Sequence, residues 1–97
     1  MKILVAEDET IIRLDLTEML RRAGFDVCAE ARDGEEAVAL ARSEEPDLAI
    51  MDVKMPKLDG IEAARRILDE RPIPIVMLTA YGQRELVARA VEAGVFG

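Results

Sequence analysis

A chain of 97 residues with 51% hydrophobic content supports one domain with one core, and that core must be aliphatic, since there are two Phe, one Tyr and no Trp. The formal net charge of -7 with no His argues against direct binding of nucleic acid or of an anionic membrane surface. A single cysteine excludes an intrachain disulfide, and no apolar run approaches the ~18 residues of a membrane span, so a cytoplasmic protein is expected.

Residues 3–6 form an apolar run that ends in Glu7, Asp8 and Glu9, which reads as a strand followed by an acidic turn. Ile12, Leu16, Met19, Leu20 and Ala23 then recur at helical spacing, with Arg13, Asp15, Glu18, Arg21 and Arg22 assigned to the opposite, solvated face. Gly24 suits the position just past that helix. Residues 25–31 alternate loosely and predict a half-exposed strand, placed at a sheet edge. Asp33 is the expected N-cap of a second helix, with Glu36 in its first turn and Ala37, Leu40 and Ala41 facing inward.

After Pro46, residues 48–51 are apolar throughout and lead directly into Asp52, with Pro56 following shortly. Such a run predicts a strand buried on both faces, with a carboxylate where it leaves the sheet. Asp59 and Gly60 open a third helix whose inward residues are expected to be Ile61, Ala64, Ile67 and Leu68. Residues 75–78 predict another buried strand, ending in the hydroxyl of Thr79. A fourth helix carries Leu86, Val87, Ala90 and Val91 and stops at Gly94, before an apolar approach at residues 95–97. The order βαβαβαβα implies parallel strands joined by right-handed crossovers, with helices on both faces.

Polar groups thus stand at three strand ends: Glu7 and Asp8, Asp52, and Thr79. Ligands in open α/β sheets bind outside the carboxyl ends of the strands. If these strands are neighbours, several carboxylates converge, and at 4 Å each like-charge pair costs about 1 to 4 kcal/mol, depending on the effective dielectric. A hard divalent cation with oxygen ligands relieves that repulsion, and Mg²⁺ suits carboxylates that also face phosphate oxygens. With no His, and its only Cys on another strand, the chain is unsuited to zinc chemistry. A carboxylate beside such a cation can attack phosphorus and form an acyl phosphate.

In these features the chain resembles the receiver domain of a two-component response regulator. The matching residues are Glu7 and Asp8 after the first strand, Asp52 within the segment Met51-Asp52-Val53-Lys54-Met55-Pro56, Asp59-Gly60 opening the third helix, and Thr79-Ala80 after the fourth strand. The resemblance implies a flavodoxin-like doubly wound parallel sheet of order 2-1-3-4, with the family's fifth strand and last helix absent from residues 1–97. Those residues are therefore expected to be a receiver domain that is incomplete at its C-terminal side.

The resemblance also implies that Asp52 accepts a phosphoryl group from a sensor histidine kinase. Mg²⁺ would be held by Asp8 and Asp52, by Glu7 through water, and by the backbone carbonyl of Lys54. Thr79 would bond a phosphoryl oxygen and shift on phosphorylation, and the Ala80 N–H would contact the same group. The phosphorylated state would pass to an output domain after Gly97 or to a separate effector. Among receivers, residues 11–16 and 78–83 most resemble regulators with an RNA-binding antiterminator output. A homodimer is compatible with this reading.

Two departures stand out: Glu7 occupies a position where Asp is commoner, and the family's fifth-strand lysine and aromatic are not in the chain. An unphosphorylated, receiver-like interaction module is therefore a second reading. An aspartyl-phosphate hydrolase would carry a second aspartate two residues beyond the nucleophile, where this chain has Lys54, so no turnover enzyme is expected.

Overall fold

The computed structural model describes residues 1–78. Along them run β1 (Lys2–Ala6), α1 (Thr10–Arg22), β2 (Asp26–Ala31), α2 (Gly34–Glu44), β3 (Leu48–Asp52), α3 (Gly60–Glu70) and β4 (Ile75–Leu78). The four strands are parallel in the order β2-β1-β3-β4, as the resemblance implied. The expected fourth helix, the approach to a fifth strand, Thr79 and Ala80 lie outside the described residues.

Side chains alternate across a strand, so each strand feeds two layers. Ile3, Val5, Leu48 and Ile50 pack on Leu16 and Leu20 of α1, together with Leu78. Leu4, Ala6, Ala49 and Met51 face the other way, against Ala37, Val38 and Ala41 of α2 and Ala63 and Ile67 of α3. This two-sided burial is why residues 3–6 of β1 and 48–51 of β3 are apolar throughout. In β2 only Ala31 is fully buried, as suits its edge position.

The helix boundaries follow their capping residues. Asp33 accepts the Glu36 N–H at 2.8 Å, and Asp59 accepts the Glu62 N–H at 2.9 Å. Gly24 follows α1 with φ +92°, a left-handed conformation that glycine adopts without strain. No helix among the described residues is long and apolar enough to cross a membrane.

Two inward faces differ from expectation. In α1 the buried residues are Arg13, Leu16, Thr17 and Leu20, an i, i+3, i+4, i+7 stripe rotated toward Arg13, whereas Ala23 is exposed. The stripe tolerates its polar members because each has a partner: Thr17 Oγ1 donates to the Leu14 carbonyl at 3.0 Å, and Arg13 is bound as described below. In α3 the buried residues are Gly60, Ala63 and Ile67, while Ile61 and Leu68 are 57% and 50% exposed. Those two sit about 100° round the helix from Gly60 and Ile67. Gly60 is seated against the Asp52 carbonyl, and with that contact Ala63 and Ile67 share the inward face.

Candidate functional site

The register of β1 against β3 pairs Ala6 with Met51, so Glu7 and Asp52 leave the sheet side by side. Asp8 follows in the same turn. One carboxylate oxygen from each of Glu7, Asp8 and Asp52 lies within 4.8 Å of the other two. The structure thus brings together three of the residues singled out from the sequence. On the far side of β3, Asp52 pairs with Leu78, and the Val53 N–H donates to the Leu78 carbonyl at 3.0 Å. Lys54 lies two residues past Asp52 in the loop to α3, and its side chain is exposed.

The three carboxylates differ in exposure. Glu7 is buried at 4% exposure, Asp52 is half-buried and Asp8 is exposed. Burial, together with the charges of Asp52 and Asp8 and a hydrogen bond with Asp52, pushes the Glu7 carboxyl from its usual 4.5 up to about 7. The Glu9 N–H, which donates to Glu7 Oε1 at 3.2 Å, pulls in the opposite direction. Without a counter-ion, this trio is an electrostatic conflict concentrated on one buried group. An all-oxygen donor set carrying up to three negative charges fits a hard divalent cation such as Mg²⁺.

Two supports of the site were not apparent from the sequence. Arg13, assigned there to solvent, is buried, and its Nη1 donates to the Glu7 carbonyl at 2.8 Å. Its Nε lies 3.4 Å from Glu30 on β2, and Glu30 also pairs with Arg21 at 3.5 Å. The guanidinium therefore ties α1 and the edge strand to the backbone of the acidic turn. The signal that could have found it is its place three and four residues before Leu16 and Thr17. The second support is the close seating of the β3–α3 loop. Gly60 donates its N–H to the Val53 carbonyl at 2.7 Å, closing residues 53–60 into a compact loop.

Cys28 on β2 is half-buried, with Sγ 3.5 Å from the Ile3 carbonyl, and burial raises its thiol pKa. It belongs to the packing of the edge strand and lies apart from the acidic rim.

Comparison with known proteins gives a consistent result. Residues 3–97 match the family described as response regulator receiver domain. A transcriptional regulatory protein, PdtaR of Mycobacterium tuberculosis, is 58% identical over 93 residues, covering 96% of this chain and 45% of the relative. A protein-glutamate methylesterase/protein-glutamine glutaminase of Haloarcula marismortui is 47% identical over 77 residues, covering 79% of this chain but 21% of that protein. The chain therefore spans less than half the length of these relatives. Among solved structures, the response regulator domain of Thermotoga maritima CheB is similar at a TM-score of 0.78 with 32% identity, over 91% of this chain and 72% of that one. A CheX-CheY-BeF3-Mg²⁺ complex from Borrelia burgdorferi contains a chain similar at a TM-score of 0.79 with 29% identity, over 96% and 72% of the two chains.

Proposed function

Because the chain belongs to the response regulator receiver family, we propose that Asp52 is its phosphoacceptor and that a sensor histidine kinase is the donor. The observation that carries this reading is the gathering of Glu7, Asp8 and Asp52 at the paired exits of β1 and β3. A carboxylate oxygen of Asp52 would attack the phosphorus of a phosphohistidine. An O–P bond forms, the N–P bond breaks, and the imidazole nitrogen leaves with the electron pair.

Glu7, Asp8 and Asp52 would hold Mg²⁺, Glu7 through water, with the Lys54 carbonyl as a further ligand. The bound ion would neutralise charge on the acidic trio and on the transferred phosphoryl oxygens. The Borrelia burgdorferi structure, a CheX-CheY-BeF3-Mg²⁺ complex, supports this assignment for a similar chain. Half-burial of Asp52 at the rim leaves it open to an incoming donor while β3 fixes its backbone. Thr79 and Ala80 are proposed to donate a hydroxyl and a backbone N–H to the phosphoryl group.

The phosphorylated state would be relayed in the cytoplasm to an output segment following this domain, or to a separate effector. Similarity to PdtaR, a transcriptional regulatory protein, supports an output acting on gene expression, for which an RNA-binding antiterminator module is proposed.

The test is labelling of the full chain by acetyl phosphate with Mg²⁺. Wild type should gain one phosphoryl group, and Asp52→Asn should gain none. Labelling that persists in Asp52→Asn would sink the assignment. A receiver-like module that takes no phosphoryl group would instead show no saturable Mg²⁺ site in a direct titration.

A further inference from the structure

The loop that leaves Asp52 is seated on the two helix N-termini that flank it, and both seats are glycines. A Cβ built on Gly60, the first residue of α3, would lie 2.0 Å from the Asp52 carbonyl oxygen and 2.8 Å from its carbon. A Cβ on Gly34, the first residue of α2, would lie 1.9 Å from the Leu58 carbonyl oxygen and 2.7 Å from Leu58 Cβ. Among the described glycines only Gly24 has a positive φ, so Gly34 and Gly60 are required by space and not by backbone conformation. The obstructing atoms are backbone or, in Leu58 Cβ, fixed directly to it, so no flexible side-chain end can swing aside to admit a methyl group.

Gly34 stands 24 positions before Leu58, in a different βα unit. Nothing in its own helix explains why it must lack a side chain. Leu58 is half-buried and packs on the core between α2, α3 and the sheet, which holds its carbonyl against Gly34. Beside this contact, Lys57 Nζ lies 3.6 Å from Asp33 Oδ2. The loop is therefore gripped at its far end by Asp33 and Gly34 and at its two roots by Gly60.

We infer that Gly34 is a positioning residue for the phosphoacceptor loop: its bare Cα lets residues 53–59 lie down on α2, which sets the backbone at Asp52 and Lys54. The functional side of this inference rests on the reading of Asp52 and the Lys54 carbonyl given above. The physical side does not, because the seat is a close contact between the Gly34 and Leu58 backbones. A methyl group at Gly34 lifts Leu58, and the strain passes along the closed loop of residues 53–60 to the Gly60 N–H···O bond at Val53.

Hydrogen exchange of the full chain without metal reads the clamp directly. In Gly34→Ala the Gly60 amide should exchange about tenfold faster, while the Leu4 and Val5 amides in the sheet centre stay within about twofold of wild type. In the same variant the Mg²⁺ dissociation constant should rise by about tenfold. A purely structural glycine would instead lower protection everywhere and leave Mg²⁺ affinity of the folded protein unchanged. Wild-type exchange at Gly60 in a folded Gly34→Ala protein overturns the inference. If Gly34→Ala does not fold, Leu58→Gly loosens the same seat from the other side and should raise Gly60 exchange about threefold, with no change overturning the clamp. A wild-type protein that takes up no Mg²⁺ would count against the function proposed above, and the exchange measurement would still decide the role of Gly34.

Discussion

The exits of β1 and β3 meet at one acidic rim, yet their backbones are held by opposite means. At β1 a long side chain reaches in: Arg13 of α1 donates to the Glu7 carbonyl from a buried position. At β3 it is missing side chains that matter: Gly60 lets α3 touch the Asp52 carbonyl, and Gly34 lets α2 receive Leu58. The first exit carries a buried, raised carboxyl on a backbone held by a buried cation, so its stability should depend on charge and pH. The second depends on shape, so it should respond to added volume and little to pH. The acidic turn is thus electrostatically tuned, while the loop that follows Asp52 is sterically fixed.

The largest expected effect follows from Glu7. Its carboxyl is raised from 4.5 to about 7 in the folded, metal-free protein. Below pH 4.5 folded and unfolded forms are both protonated, and the group is neutral toward stability. As pH rises past 4.5 the unfolded chain releases its proton while the folded protein keeps it, so stability falls until the folded group also ionises near pH 7. The full loss is roughly 3 kcal/mol, because each pH unit between the two ionisations removes ~1.4 kcal/mol. Urea unfolding of the metal-free protein at pH 5 and pH 8 should register this decline. Glu7→Gln should flatten it and be the more stable protein at pH 8. Saturating Mg²⁺ should also recover stability at pH 8, because a ligand that binds only the folded state stabilises it. A flat wild-type profile would mean that the acidic turn is no more charge-sensitive than the loop.

Next in size is Arg13. Arg13→Met keeps the apolar stem but removes the donor to the Glu7 carbonyl and the partner of Glu30. Glu30 retains Arg21 at 3.5 Å, so the buried carbonyl bears most of the loss. A charge-assisted hydrogen bond at a buried acceptor is worth about 2 kcal/mol, which is the expected drop in unfolding free energy. Arg13→Lys should recover part of it. A Met variant as stable as wild type would show that the guanidinium is incidental to the turn.

The strands, their caps and the acidic trio were legible in the sequence because each is written in residue type. Residues 3–6 and 48–51 can be little other than doubly buried strands, and Glu7, Asp8 and Asp52 stand directly at their ends. Asp33 and Asp59 announced the starts of α2 and α3. Arg13, Ile61 and Leu68 were misplaced because helical periodicity assigns faces by hydrophobicity alone. It cannot foresee that a cation is buried when a carbonyl and a carboxylate await it. Nor can it foresee that the seat of Gly60 against the Asp52 carbonyl turns Ala63 inward and leaves Ile61 exposed. Gly34 was illegible for a further reason: what it excludes is the backbone of Leu58, a contact that exists only after three βα units have assembled.

The smallest expected effects separate the two caps that flank the β3 exit. Asp33 and Asp59 each accept an N–H three residues on, and replacing either by Ala should cost about 1 kcal/mol through the lost cap. Only Asp33 also faces the loop, with Lys57 Nζ at 3.6 Å, and its carboxyl is held below its usual value, first by the Glu36 N–H and then by Lys57. Its ionised form therefore contributes stability above the unfolded carboxyl pKa of 3.8, and this is lost as pH falls through the lower folded value. Asp33→Asn keeps a capping oxygen but not the charge. At pH 7 it should cost only a few tenths of a kcal/mol, since Lys57 is 63% exposed and surface ion pairs are weak. The acid-side decline due to this group should vanish in Asp33→Asn, as followed by thermal unfolding between pH 2.5 and pH 5. If Asp33→Asn costs as much as Asp33→Ala at pH 7, the Lys57 charge contributes to seating the loop. The β3 exit would then be held partly by electrostatics, as the β1 exit is.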